Sequence, residues 1–333
     1  MNTAIMEMFL EATKYRVPLA CEIELTQQCN FRCIHCYVSK KDTFLDKKKA
    51  MKFIDEVTER GCLFLNFTGG EIFLHPDFSE IYIYAIKKGC IITLFTNCEL
   101  LTDDLLEVLS KYKPYLIEVT MYGFSEETYY SVTKTRTFAK VYENIIKLKS
   151  KKIRLYLKTF VLEENYNDFF RIKEFSDNEN IEFGFDSLIV DSMNSPTLNY
   201  QLSIEKMLSL EKYHKDENRE KEGWVNIHQF LPENRLIHCG SGRYNAFLSA
   251  NNELLMCNML HEWKYSLDEY TFDEAWGNFE QYLNLEDYSD CRKCELRKKC
   301  RICPGRSLLM TGSVQPKSCY PICDFCHRKY CEK

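Results

Sequence analysis

Three thiols fall within eight residues in the stretch Cys29-Asn-Phe-Arg-Cys33-Ile-His-Cys36. Thiolates are the usual protein ligands of iron–sulfur clusters, and three so close together can wrap one face of a four-iron cube. One iron is then left without a protein ligand, and an open coordination position marks a reactive site more than a structural one. Zinc stays open at this level, because His35 would supply a fourth ligand and close a structural site. A second motif, Thr68-Gly69-Gly70-Glu71, places a carboxylate beside two glycines, which let a backbone approach a ligand closely. Alone it reads as a plain turn; its weight comes from standing one strand later than the cysteine group.

A third constellation lies at the other end. Of 17 cysteines, ten stand from Cys239 onward: Cys239, Cys257, then Cys291-x2-Cys294-x5-Cys300-x2-Cys303, then Cys319-x3-Cys323-x2-Cys326-x4-Cys331. Cys21, Cys62, Cys90 and Cys98 are scattered singly, and none occurs between Cys98 and Cys239. Disulfide-rich chains are usually short and exported. Here Met1–Lys14 carries Glu7 and Glu11 and no signal-peptide pattern, so a cytoplasmic location is expected and clustered cysteines point to metal. No apolar run approaches the ~20 residues of a membrane span. A net charge of −5 does not advertise nucleic acid, which asks for a basic face.

The elements that must position these groups follow from periodicity. Strands are expected at residues 19–25, 63–67, 91–95, 116–121, 154–161 and 181–189. Helices are expected at 46–60, 76–88, from about Thr102 (an N-cap), 138–148 and 168–175. Six strand–helix units in a row imply a parallel sheet or open barrel, with working residues just past the C-terminal strand ends. Both motifs stand there. The division is residues 1–18 as an N-terminal extension, 19–190 as the barrel, 191–238 as a polar bridge and 239–333 as a small irregular domain held by metal. Within the bridge, residues 203–214 read as a helix, while Trp224 and Phe230 could line a groove.

C-x3-C-x2-C after a first strand, with Gly-Gly-Glu after the second, resembles the radical S-adenosylmethionine (SAM) superfamily. The resemblance covers about residues 18–190 and implies an α/β fold, a partial (β/α)6 TIM-like barrel, followed here by a cysteine-rich iron–sulfur domain. It implies that Cys29, Cys33 and Cys36 ligate a four-iron four-sulfur cluster whose open iron is chelated by SAM. Gly69, Gly70 and Glu71 would bind the SAM amino group, Tyr37 the adenine, Thr120 the ribose region, and Lys158 would contact SAM. Related sequences often read Thr-Asn-Gly where this chain has Thr96-Asn97-Cys98. The change reads as a tolerated loop substitution, or as a cavity-facing thiol that donates a hydrogen atom.

The C-terminal set resembles the SPASM extension, which usually holds two auxiliary clusters. That implies Cys239, Cys257 and Cys303 on the first, completed by Cys323 or Cys326, and Cys291, Cys294, Cys300 and Cys319 on the second. The usual glycine five residues before the second cysteine is Asn252 here, the next best residue for a left-handed turn. Cys303 comes one residue earlier than usual. Cys319-x3-Cys323-x2-Cys326 repeats the spacing of the first group, a coincidence by the absence of the flanking strand and Gly-Gly-Glu.

The resemblance implies reductive cleavage of SAM to a 5′-deoxyadenosyl radical and hydrogen abstraction from a substrate. The stretch Val119–Tyr129, with Leu157-Lys-Thr159 and Asn165, resembles maturases of ribosomally made peptides, so a thioether or carbon–carbon cross-link in a precursor peptide is the leading expectation. Alternatives are a peptide epimerase, a protein side-chain dehydrogenase, a tetrapyrrole substrate or, in another class, a zinc-binding scaffold. Expected partners are the precursor peptide and an electron donor such as flavodoxin or ferredoxin. The short N-terminal extension leaves no room for a leader-binding domain, so a separate leader-binding protein, the barrel rim or the bridge would serve; neither nucleic acid nor membrane is expected.

Overall fold

The computed structural model describes residues 3–38, 41–190, 198–213, 234–297, 299–300, 302–319 and 321–331. The six expected strands form as β1 Ala20–Thr26, β2 Phe64–Gly69, β3 Ile91–Thr96, β4 Leu116–Thr120, β5 Leu155–Phe160 and β6 Glu182–Asp186. Each pairs in parallel with the next. The helices on the outside are α1 Thr3–Tyr15, α2 Lys47–Glu59, α3 Phe78–Lys87, α4 Asp103–Lys111, α5 Glu126–Thr133, α6 Phe138–Ser150 and α7 Tyr166–Asn178. Asp46 caps α2 by accepting from the N–H groups of Lys48 and Lys49. Thr102 caps α4 by accepting from the Leu105 N–H at 3.2 Å, as the sequence predicts.

Alternation decides which way each strand faces. Cys21, Ile23 and Leu25 of β1 have no exposed surface and join the main core with Phe53, Ile54 and Val57 of α2. Glu22 and Glu24 turn to the other side. In β4, Ile117 and Val119 are buried while Glu118 and Thr120 alternate with them. Glu22 of β1 and Lys158 of β5 lie within electrostatic reach although three strands separate them. The sheet is therefore curved, with both side chains on its inner face: the partial barrel that the sequence predicts.

Helices α1 and α5 are additions to that expectation, and the C-terminal region departs from it. Strand β7 (Asn245–Leu248) pairs in parallel with β1, and β8 (Glu253–Leu255) and β9 (Lys264–Ser266) continue antiparallel, making one nine-stranded sheet. Ala246, Leu248 and Leu254, with Phe272 and Trp276 of α9 (Phe272–Asn278), belong to the main core. This stretch thus extends the barrel sheet and shares its core. Strands of three or four residues are too short to show alternation in sequence.

Helix α10 (Glu280–Leu283) leads to a second, smaller core. There α8 (Ile204–Leu210) packs with Leu296, Ile302 and the final helices, α11 (Pro304–Thr311) and α12 (Ile322–Tyr330). Ser203 caps α8, and a 3-10 turn, Glu211–Tyr213, follows it. His214, Trp224 and Phe230 lie outside the described residues. Among the described residues no helix is long and apolar enough to cross a membrane.

Candidate functional site

The cysteine loop leaves the end of β1 and is held from three directions. The Gly70 N–H donates to the Thr26 carbonyl at 2.8 Å, and the Glu71 N–H to the Gln28 carbonyl at 2.8 Å. A Cβ at Gly69 would lie 2.3 Å from the Thr26 oxygen, and one at Gly70 only 2.0 Å from the Gln28 oxygen. The two glycines thus let one backbone approach another, and seat the end of β2 against the cysteine loop. On a second side, the Arg32 and Ile34 N–H groups donate to the carbonyls of Thr133 and Val132 at 2.8 and 3.0 Å. Carbonyls in the last turn of a helix lack partners inside it, and α5 spends two of them here.

The third side is an asparagine network after β3. Asn97 Nδ2 donates to Asn30 Oδ1 at 2.8 Å, Asn30 Nδ2 donates to Glu99 Oε2 at 2.7 Å, and the Glu99 N–H returns to Asn97 Oδ1 at 2.9 Å. Glu71 joins this loop from below. It has no exposed surface and accepts from Thr96 Oγ1 (2.6 Å), the Asn97 N–H (2.8 Å) and the Phe73 N–H (3.1 Å). Burial pushes its carboxyl up to about 7, against the pull of those donors. Its carboxylate is thus turned into the protein, fastening the end of β2 to the end of β3.

Tyr122, just past β4, gathers the three thiols. Its hydroxyl is held well above the usual phenol range by burial, then by the neighbouring Cys33, Cys36 and Cys29, with a hydrogen bond to Cys33. His35 packs its ring near Tyr122 and Phe160, with centroids 5.3 and 5.2 Å away. Among the described residues no three His, Cys, Asp or Glu side chains close on the position of a single metal ion. Three thiols on one pinned loop, converging on one hydroxyl, suit a larger group such as a four-iron cube.

The remaining candidates spread around the inner face. Tyr37 reaches away from the loop, and its hydroxyl accepts from Asn258 Nδ2 at 3.0 Å, beside Cys257. Burial, followed by Cys257, Glu22, Cys36 and Glu24, raises the Tyr37 hydroxyl, so this ring stands between the two cysteine regions. Thr120 and Lys158 are paired residues on β4 and β5, and Lys158 Nζ lies 3.3 Å from Glu118 Oε1. Glu22 is raised by burial, countered by a hydrogen bond with Asn245 and by Lys158. Cys98 overturns one expectation. It has no exposed surface, belongs to the main core and has φ of 63°. Its thiol is enclosed by that core, and its backbone lies in the left-handed region that favours glycine.

The C-terminal thiols sort into two sets. Cys239, Cys257 and Cys303 lie within electrostatic reach of one another. Burial holds the Cys257 thiol up at about 12. Cys323 and Cys326, either of which the resemblance gives as the fourth ligand of that set, find thiol partners in the other set. Cys319 hydrogen bonds with Cys323, Cys291 faces Cys323 and Cys300, and Cys300 hydrogen bonds with Cys326. All of these sit with the second set because α12 packs on α8 and on Leu296 and Ile302. Asn252 has φ of 61°, the left-handed turn expected of it, and Nδ2 donates to Asp268 Oδ1 at 2.9 Å.

Sequence reasoning missed Tyr122, Asn30, Glu99, Glu22 and Asn258. Only Glu22 carried a signal, as a charge alternating with apolar residues in a central strand.

Residues 23–176 match the model of the Radical SAM superfamily. The antilisterial bacteriocin subtilosin biosynthesis protein AlbA of Bacillus subtilis is 35% identical over 109 residues, which is 32% of this chain and 24% of that protein. The AdoMet-dependent heme synthase of Methanosarcina barkeri is 24% identical over 334 residues, covering 90% of this chain and 95% of that protein. Among solved structures, SuiB of Streptococcus suis bound to S-adenosylmethionine superposes with TM-score 0.72 at 15% identity, over 96% of this chain and 81% of that one. AdoMet-bound anSMEcpe gives 0.70 at 16% identity, over 94% and 93%. These superpositions establish the fold, and they extend through the cysteine-rich C-terminal region. The three-thiol loop after β1, seated on Gly69-Gly70-Glu71 in a partial barrel, lies within residues 23–176, so this part of the chain is a radical SAM domain, of a superfamily of enzymes that use SAM and a four-iron four-sulfur cluster.

Proposed function

We propose that this chain is a peptide maturase that introduces a thioether or carbon–carbon cross-link into a ribosomally made precursor peptide. The observation that carries the reading is the pinned loop of Cys29, Cys33 and Cys36, joined through Tyr37 and Asn258 to a second thiol set on the same sheet. When bound, SAM and its cluster would supply radical chemistry for removing a substrate hydrogen, and auxiliary clusters would supply an electron acceptor for the net oxidation that a cross-link requires. Cys29, Cys33 and Cys36 hold the SAM cluster. Gly69, Gly70 and Glu71 would hold the SAM amino group, with the Glu71 carboxylate engaged by three donors that fasten this turn in place. Tyr37, Thr120 and Lys158 border the rest of SAM from the inner face. Cys239, Cys257 and Cys303 hold one auxiliary cluster, and the set around Cys291, Cys294, Cys300 and Cys319 the other. Residues 19–190 act as the radical domain and 239–333 as the auxiliary one, in a chain served by an electron donor such as flavodoxin or ferredoxin.

A second reading has its own support. The heme synthase aligns over nearly the whole of both chains, so a tetrapyrrole is the alternative substrate. The inner face speaks against it. Glu22 and Glu118 project there, and Lys158 is already beside Glu118, which leaves little positive charge for an anionic macrocycle.

The test starts with anaerobically purified, reduced protein. SAM should be cleaved to 5′-deoxyadenosine by the wild type and not by Cys29→Ala, Cys33→Ala or Cys36→Ala. Short peptides encoded next to the gene should then lose two hydrogens by mass, with no deuterium taken from solvent. Deuterium uptake would turn the reading to epimerisation. A saturable shift of the Soret band on adding an iron tetrapyrrole, with no change in any peptide, would replace the peptide reading.

A further inference from the structure

Six thiols gather where a four-iron cube accepts four. Cys319 and Cys323 stand one helical turn apart: the Cys323 N–H donates to the Cys319 carbonyl at 3.0 Å, and the Cys319 N–H points to Cys323 Sγ at 3.3 Å. Cys326, with 3% exposure, lies on the inward side of α12 with Ile322 and Phe325, against the core that also receives Cys294, Cys300 and Cys319. Helix α12 is firmly seated. Arg328 pairs with Glu205 of α8, and Lys329 pairs with Glu211 just after it. A helix docked this way presents its side chains in a set geometry. Cys323 also occupies the first turn of α12. Cys294 has a weaker seat, at the end of a 3-10 turn of four residues.

We propose that Cys323 and Cys326 of α12 are ligands of the second auxiliary cluster, which therefore draws on a pool of six thiols: Cys291, Cys294, Cys300, Cys319, Cys323 and Cys326. Cys323 sits between Cys291 and Cys319, and Cys326 against Cys300, so either can take a cube corner that Cys294 would otherwise hold. The Cys319-x3-Cys323-x2-Cys326 spacing then has a use. A three-thiol turn of this kind caps one face of a cube, with the C-x2-C pair of Cys291 and Cys294 competing for the rest. The inference rests on the proposal that auxiliary clusters are present, and it adds ligands that tolerate exchange. In the first auxiliary set Cys239, Cys257 and Cys303 are thiol neighbours.

The experiment is iron and sulfide content with low-temperature EPR of dithionite-reduced, anaerobically purified full chain. Wild type, Cys294→Ala, the Cys323→Ala/Cys326→Ala double variant and the triple variant are compared. With three four-iron clusters, wild type holds about twelve irons. Cys294→Ala and the double variant should each keep about twelve, with the EPR signal of one cluster shifted, and the triple variant should lose about four. A Cys294→Ala variant that loses about four irons overturns the proposal, and so does a double variant whose spectrum superimposes on wild type. If the triple variant misfolds and loses all iron, the two smaller variants still decide. Wild type with only about four irons would remove the auxiliary clusters themselves, a different failure from losing this ligand pool.

Discussion

The two cysteine regions solve one problem in opposite ways. The N-terminal loop has three thiols, no reserve, and a hydrogen-bonded clamp on each side: Gly70 and Glu71 from β2, Thr133 and Val132 from α5, Asn97 and Glu99 from beyond β3. The C-terminal set around α12 has more thiols than a cube needs, and a small hydrophobic core with surface ion pairs to hold them. A site that must leave one iron open gains from an exact number of ligands and a stiff frame. A cluster that stores or passes electrons can tolerate a change of ligand. The lesson is that ligand count and backbone restraint trade against each other.

The sharpest way to break this contrast is Gly70→Ala. A methyl group there would lie 2.0 Å from the Gln28 carbonyl oxygen, a backbone atom that cannot step aside. The cysteine loop must shift, so SAM cleavage should vanish and about four irons should be lost, while the C-terminal irons remain. Equal loss from both regions would show that the clamp serves the whole fold and not the loop.

Glu71→Gln comes next. The folded chain holds this carboxyl up at about 7 against an ordinary 4.5, so the folded state binds the proton more tightly. Its stabilisation is therefore complete below pH 4.5 and lost as pH rises through about 7. The variant should lack that dependence, and the stability gap between the two proteins should change by roughly 3 kcal/mol across the window. Anaerobic melting at a series of pH values checks this; parallel curves would count against it.

Asn97→Ala removes the donor to Asn30 and the acceptor for Glu99. A cost of about 1–3 kcal/mol, felt mostly by the loop, is expected. Chelator should then strip the N-terminal cluster roughly tenfold faster, the factor that corresponds to about 1.4 kcal/mol. Stripping of the proposed C-terminal clusters should be unaffected.

The smallest effect is expected for Cys98→Gly. Glycine relieves the left-handed backbone at φ of 63° and gives up a buried thiol, so the melting free energy should stay within about 1 kcal/mol. SAM cleavage should be retained. A large loss of product with SAM cleavage intact would restore the thiol to a part in the chemistry.

Much of the barrel was legible in sequence because period-2 apolar runs and capped amphipathic segments are local signals. Asp46 and Thr102 cap helices where their side chains alone predict it. Helix α5 was harder to read, since Glu126–Thr133 carries weak amphipathicity and earns its place through contacts of its last carbonyls with the cysteine loop. Strands β7–β9 were hidden for a related reason: three or four residues show no period, and the pairing of β7 with β1 joins residues more than 200 apart.

Sequence by itself determined the thiols, their spacing, the Gly-Gly-Glu turn and the order of six strand–helix units, because each depends on residues close along the chain. It also marked Cys98 and Asn252 as sites where a glycine is usual, and both have left-handed backbones. Tertiary structure alone decided which way Glu71 points, that the glycines admit a neighbouring backbone, that Tyr122 meets Cys33, and that Cys323 stands against Cys319 and Cys326 against Cys300. The physical reason is common to all four. A side chain's partner across the fold is set by how strands curve and helices dock, and those are properties of the packed whole.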